Sequence, residues 1–141
     1  MSAALTDIIA RHVGREGPLL PLLHDVQKAQ GFVSEGDIGT IAAALKLSRA
    51  EVSGVVSFYH DFRRAPEPLP VVKLCRAEAC QARGSEALAE WAQGEARGRV
   101  KLEAIYCLGL CSAGPSAMVG DQVVARLDRA SLGALIDDAA R

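Results

Sequence analysis

The chain has 141 residues, enough for one or two small domains with a real hydrophobic core. Half of it is apolar, and the formal net charge is only −1, so it lacks the basic excess that a phosphate-binding surface leaves. No apolar run approaches the ~18 residues of a membrane span. The first residues carry Asp7, Arg11 and Arg15 in a helical pattern, unlike a secretory signal. These features point to a cytoplasmic chain with neither nucleic acid nor membrane as partner. In that setting cysteines more often hold metal or do redox work than form disulfides.

The first half reads as helices. Leu5, Ile8, Ile9 and Val13 recur at helical spacing behind Ser2, a candidate cap, until Gly14 and Gly17-Pro18 break the pattern. Leu19, Leu22, Leu23 and Val26 form a second stripe that stops at Gly31. Ser34 with Asp37, and Ser48 with Glu51, have the spacing of capping boxes. Ile38, Ile41, Ala42 and Leu45 follow the first box. Val52, Val55, Val56 and Tyr59, edged by Phe58 and Phe62, follow the second. Residues 1–64 thus form an expected N-terminal helical bundle. Pro66, Pro68 and Pro70 then remove backbone donors and favour an extended path, which makes 65–70 a proline-rich linker.

Beyond the linker the periodicity changes. Val71 to Leu74 reads as a strand running into Cys75, and Ser85 as the cap of a helix that turns Leu88, Trp91 and Ala92 inward. Val100 to Ile105 is a second strand. Ala117–Val119 and Gln122–Leu127 around Gly120-Asp121 read as a hairpin, and Leu132, Leu135, Ile136 and Ala139 as a closing helix. The order β-α-β-β-β-α over residues 71–141 is that of a thioredoxin-like domain with a mixed sheet. The fold class is accordingly α/β, or α+β.

All four cysteines come as two close pairs, Cys75/Cys80 and Cys107/Cys111, each following a predicted strand. If those strands are parallel neighbours, both pairs emerge at the same end of the sheet. Gly109 frees the backbone of the second loop, and Gly114-Pro115 turns the chain away after it. Three chemistries compete. Structural zinc usually takes tighter pairs, but four thiolates would satisfy it. A dithiol enzyme prefers C-x-x-C at a helix start, and neither pair has it. A [2Fe–2S] cluster takes two thiolates per iron, which suits two-plus-two ligation. Spacing alone leaves [2Fe–2S] and zinc equally open.

A resemblance separates them. Cys-x4-Cys, followed after a further 26 residues by Cys-Leu-Gly-x-Cys, resembles the thioredoxin-like [2Fe–2S] family of the 24-kDa subunit of respiratory complex I. That family includes the corresponding subunits of NAD-reducing hydrogenases and NAD-dependent formate dehydrogenases. Leu20-Pro21-Leu22-Leu23-His24-Asp25-Val26-Gln27 and Gly54-Val55-Val56-Ser57-Phe58-Tyr59 are similar to its N-terminal helices, and the likeness spans roughly residues 18–128. The wording Leu74-Cys75-Arg76-Ala77-Glu78-Ala79-Cys80 and Tyr106-Cys107-Leu108-Gly109-Leu110-Cys111 is most similar to the gamma subunits of soluble, molybdenum-dependent formate dehydrogenases. Complex I relatives tend to carry other residues between the first two cysteines.

The resemblance implies an electron-transfer subunit with no substrate turnover of its own. Cys75, Cys80, Cys107 and Cys111 map onto the family's cluster ligands. The partners would be a flavin- and NAD-binding subunit and, through it, a molybdenum-containing large subunit. Equivalent subunits of complex I or of an NAD-reducing hydrogenase are the near alternative, and a structural zinc assembly module the distant one.

The remaining residues have plainer readings. Trp91 is expected as a core anchor, and His12, His24 and His60 as surface or satisfied histidines. Arg76 and Arg83 are solvated charges or offset the charge of a cluster. Ser112 either bonds a sulfur or shapes its turn, and Arg63-Arg64 suits a helix end. The Val55-Phe58-Tyr59-Phe62 stripe is expected mainly in the core, with part of it available to a partner.

Overall fold

A computed structural model describes residues 2–141. The chain divides into two compact units, one ending at Glu67 and the other running Pro68–Arg141. In the first, α1 (Ala3–His12), α2 (Leu19–Gln30), α3 (Glu35–Leu45) and α4 (Arg49–Phe58) surround one apolar core. Ser2 caps α1 through its hydroxyl, and both expected capping boxes form, Ser34 with Asp37 and Ser48 with Glu51. Gly31, at φ 85°, ends α2 in the left-handed region that glycine enters without steric cost.

Leu22, Leu23, Val26, Ile38, Ile41 and Val52 are almost fully buried. Each such side chain contributes about 1.5–3 kcal/mol by leaving water. The segment after α4 returns to this core: the Val33 N–H donates to the Arg63 carbonyl at 2.7 Å, and the Arg63 N–H to Gln27 Oε1 at 2.6 Å. His12 is buried and meets Asp25 Oδ2 through Nε2 at 2.8 Å, tying α1 to α2. His12 is thus a satisfied histidine at that nitrogen, while its buried Nδ1 meets no partner among the described residues.

Two apolar expectations fail here. Val13 is 49 % exposed, because α1 ends at His12 and Val13 leaves the helical register. Likewise α4 ends at Phe58. Of the expected core stripe Phe62 is buried and Val55 half-buried, but Phe58 is 74 % and Tyr59 43 % exposed. These two rings stack edge-on at 5.1 Å.

The second unit is built on a mixed four-stranded sheet in the order β2-β1-β3-β4. β1 (Val71–Cys75) runs parallel to β2 (Lys101–Ile105) and antiparallel to β3 (Ala117–Val119), which turns through Gly120-Asp121 into β4 (Gln122–Val124). Between β1 and β2 lie a short α5 (Glu78–Gln81) and α6 (Ser85–Ala96), and α7 (Arg129–Ala139) closes the chain. α6 and α7 pack on each other and on β1. Their core gathers Val72, Leu74, Ala92, Ala117, Leu132 and Ile136, with Trp91 partly buried against it.

Some boundaries differ from the sequence expectation. Ser85 does not cap α6. Gly84 takes that place at φ 90°, and Ser85 is buried as the first helical residue, its hydroxyl unpartnered among the described residues. The last strand stops at Val124 rather than Leu127. Arg126 adopts φ 52°, and Leu127 turns back to bond the Pro115 carbonyl at 3.0 Å. Neither α5 nor the Asp128–Ser131 capping box that starts α7 is foreshadowed by the sequence pattern.

Candidate metal centre

The parallel register between β1 and β2 places Cys75 opposite Ile105, two residues short of Cys107. Both cysteine loops therefore leave the sheet at one end, as two parallel neighbours joined by a helix require. The loops touch: the Cys107 N–H donates to Cys75 Sγ at 3.3 Å. Within the second pair, Cys107 Sγ and Cys111 Sγ stand 3.5 Å apart.

The two loops surround their sulfurs differently. Cys75 ends β1 at 1 % exposure and Cys80 lies in α5 at 2 %, whereas Cys107 and Cys111 are exposed. Cys80 is walled in by the turn at Gly114, which precedes the cis Gly114-Pro115 bond. A Cβ on Gly114 would fall 3.0 Å from Cys80 Sγ and 3.4 Å from Arg83 Cδ. The Ser116 hydroxyl faces Cys80 Sγ at 3.8 Å. Ser116, rather than Ser112, is thus the hydroxyl at a sulfur, and only the pairing of strands reveals it.

In the outer loop Cys107 adopts φ 85°, unusual for a residue with a Cβ. That conformation turns its N–H onto Cys75, while the Gly109 N–H donates to Cys107 Sγ at 3.4 Å. A 3-10 turn, Cys111–Ala113, follows. Arg76, beside the first pair, forms an ion pair with Glu86, so its charge is answered within the protein.

The thiols diverge in acidity. Burial is the largest influence on Cys75 and pushes it up. The N–H groups of Ala77 and Cys107, the Cys80 thiol and the Leu108 N–H oppose it, and the net effect is a lowered pKa. Cys111 moves the other way, because its hydrogen bond with Cys107 and the charge of that neighbour both push it up. Inward N–H groups around sulfur stabilise added negative charge, which is what an anionic iron–sulfur centre asks of its loops. The donor set of four thiols in two touching pairs fits such a centre.

Comparison with known proteins agrees. The thioredoxin-like [2Fe–2S] ferredoxin family matches residues 5–140. NADH-quinone oxidoreductase subunit 2 of Thermus thermophilus is 30 % identical over 133 residues, covering 87 % of this chain and 74 % of its own. A subunit of the NADH-quinone oxidoreductase of Mycobacterium tuberculosis is 33 % identical over 122 residues, covering 80 % of this chain and 48 % of its own. The chain thus spans about half the length of the mycobacterial relatives. A solved NAD+-reducing [NiFe]-hydrogenase superposes with a TM-score of 0.70 at 23 % identity, over 86 % of this chain and 22 % of that one, which shows a shared fold. The chain belongs to the thioredoxin-like [2Fe–2S] ferredoxin family, and its cofactor is a [2Fe–2S] cluster.

Proposed function

We propose that the chain is an electron-transfer subunit of a cytoplasmic NAD-linked oxidoreductase, with Cys75, Cys80, Cys107 and Cys111 holding its [2Fe–2S] cluster two to an iron. The observation that carries this reading is the contact of the two loops, in which the Cys107 N–H bonds Cys75 Sγ at 3.3 Å. Two neighbouring pairs suit two irons better than a single tetrahedral zinc.

The cluster supplies a one-electron couple. The protein's part is to fix four thiolates, to shield the inner pair from water and to point the Cys107 and Gly109 N–H groups at sulfur. These donors favour the more negative state and so raise the reduction potential. No helix among the described residues is long and apolar enough to cross a membrane. We read residues 1–64 as a helical subdomain, 65–70 as a linker and 71–141 as the cluster domain.

The partner in this reading is a flavin- and NAD-binding subunit. Similarity to subunits of NADH-quinone oxidoreductases and of the NADP-reducing hydrogenase of Solidesulfovibrio fructosivorans supports that class of complex. Within it we favour an NAD-dependent molybdenum formate dehydrogenase, on the wording of Leu74–Cys80 and Tyr106–Cys111.

The test is a visible and low-temperature EPR spectrum of anaerobically purified protein. Bands that bleach on reduction, an S = 1/2 signal and about two iron and two sulfide per chain are expected. A colourless preparation holding zinc would sink the reading. Formate-dependent NAD+ reduction by the complex recovered with this chain tests the finer assignment, and its absence would return the choice to the other NAD-linked complexes.

A further inference from the structure

Cys107 and Cys111 differ from the inner pair in ways that matter to a chain still without its cluster. Both are exposed, and their sulfurs already stand 3.5 Å apart. A disulfide needs about 2 Å between sulfurs, so a small side-chain movement closes the gap. The loop between them permits it. Gly109, at φ 77°, has nothing within 4 Å of where a side chain would start, so no packing resists a shift there.

The other pairings are less open. Cys75 and Cys80 are buried, with Gly114 and Ser116 against Cys80, and a solvent-borne oxidant does not reach them. Cys107 meets Cys75 through its backbone N–H, which leaves the Cys107 sulfur to Cys111. Two accessible thiols side by side, an attacking and a resolving one, are the arrangement of a reversible redox site.

We propose that Cys107 and Cys111 form a reversible disulfide in the cluster-free chain, by exchange with a small-molecule disulfide of the glutathione class, and that this bond blocks cluster loading until it is reduced. One outer thiolate attacks a sulfur of the small disulfide, forming a mixed disulfide and releasing one small thiolate. The second outer thiolate attacks the protein sulfur of that adduct, closing the Cys107–Cys111 bond and releasing the other. The protein gives up two electrons and two protons, and the small disulfide becomes two thiols. The outer half of the site then has no thiolate for iron, while the inner half is untouched. A dithiol reductant reverses the exchange. The bond itself needs no cluster; its effect on loading rests on the ligand reading given under the proposed function.

The test uses the full chain, stripped of iron by a chelator under reducing conditions and then held anaerobically with oxidised glutathione. The expected product keeps two of its four thiols and retains no glutathione, and its peptide carrying Cys107 and Cys111 is lighter by two hydrogens. Cys111→Ser should stop at the first step, with one glutathione on Cys107. A loaded scaffold protein, with no free thiol present, should pass its [2Fe–2S] cluster to the reduced chain and not to the oxidised one. Dithiothreitol should restore loading. Four free thiols after treatment, a bond that includes Cys75 or Cys80, bonds between chains, or a wild-type chain left as its glutathione adduct overturns the disulfide. Full loading of the linked chain overturns the block, and Cys107 and Cys111 as ligands with it. Failure of the never-oxidised chain to take up a cluster overturns the cluster reading and the block together, while the peptide mass still decides the disulfide.

Discussion

The two cysteine loops carry the same chemistry in opposite settings. The first is an extension of the core: Cys75 closes β1, Cys80 is set in α5, and both are buried beneath Gly114 and Ser116. The second is held mainly by its own backbone, with Cys107 and Gly109 at positive φ and both thiols exposed. Bringing two pairs of thiolates together needs one rigid wall, but not two. The inner loop supplies that wall, and the outer loop leaves one side of the site open to solvent.

The largest effects should come from breaking each side in turn. If the four cysteines ligate the cluster as proposed, Cys75→Ser and Cys107→Ser should both abolish normal cluster loading, since either would remove a thiolate from one iron. They should differ in what remains. Cys75→Ser places a shorter, more polar group at 1 % exposure and should destabilise the cluster-free protein by about 1–3 kcal/mol. Cys107→Ser changes an exposed position and should stay within about 0.5 kcal/mol. Iron analysis with urea unfolding of the cluster-free variants reads both effects. Full iron content and an unchanged spectrum in Cys107→Ser would contradict the ligand assignment.

Two glycines sharpen the contrast at the next level. Gly114 has an ordinary φ of −68°, but an added methyl would meet Cys80 Sγ at 3.0 Å and Cys80 Cα at 3.6 Å. Gly114→Ala should therefore force the buried wall apart, costing about 1–3 kcal/mol and lowering the fraction loaded. Gly109 sits at φ 77° with open space around it, so Gly109→Ala costs about 1–2 kcal/mol of backbone strain without a clash. Gly114→Ala should depress iron content more. Equal loading in the two variants would mean that the inner wall is not the rigid one.

The same asymmetry explains what was legible in the sequence. The capping boxes at Ser34 and Ser48, the apolar stripe of α2 and the two cysteine-bearing strand ends are local patterns, and each forms where its spacing indicated. The cysteines themselves could be found by counting. What surrounds them could not. Ser116 reaches Cys80 only through the pairing of β3 with β1, and Gly114 matters for its distance from a sulfur 34 positions earlier. Phe58 and Tyr59 fit the helical stripe on paper, yet α4 ends between them and its register is lost. Nor does Asp128 look like a box-forming cap, since Ser131 replaces the usual Glu or Gln at the third helical position.

A subtler difference lies in the thiols of the cluster-free protein. Cys111 is held above its ordinary pKa by Cys107, so at a given pH less of it is thiolate and less reacts. Its alkylation by iodoacetamide should lag behind that of a model thiol below pH 9 and catch up as the pH rises through its raised value. Cys107→Ser removes that neighbour and should speed reaction at Cys111. Mass spectrometry of peptides across pH 7–10 follows it; a Cys111 rate indifferent to Cys107→Ser would show that the two exposed thiols act independently.

The smallest expected effect is at Ser116, on the buried side. Its hydroxyl faces Cys80 Sγ at 3.8 Å, a long contact that turns into a donor–acceptor pair once that sulfur is a thiolate. Ser116→Ala keeps the backbone and nearly the same volume, so loading and stability should hold. Losing one weak donor to sulfur disfavours the more negative cluster state and lowers the potential. An interaction of about 0.5–1 kcal/mol corresponds to about 20–45 mV for a one-electron couple. An EPR-monitored redox titration resolves a shift of that size. If the potential does not move, the inner wall works by packing alone, and tuning belongs to the N–H groups of Cys107 and Gly109 in the outer loop.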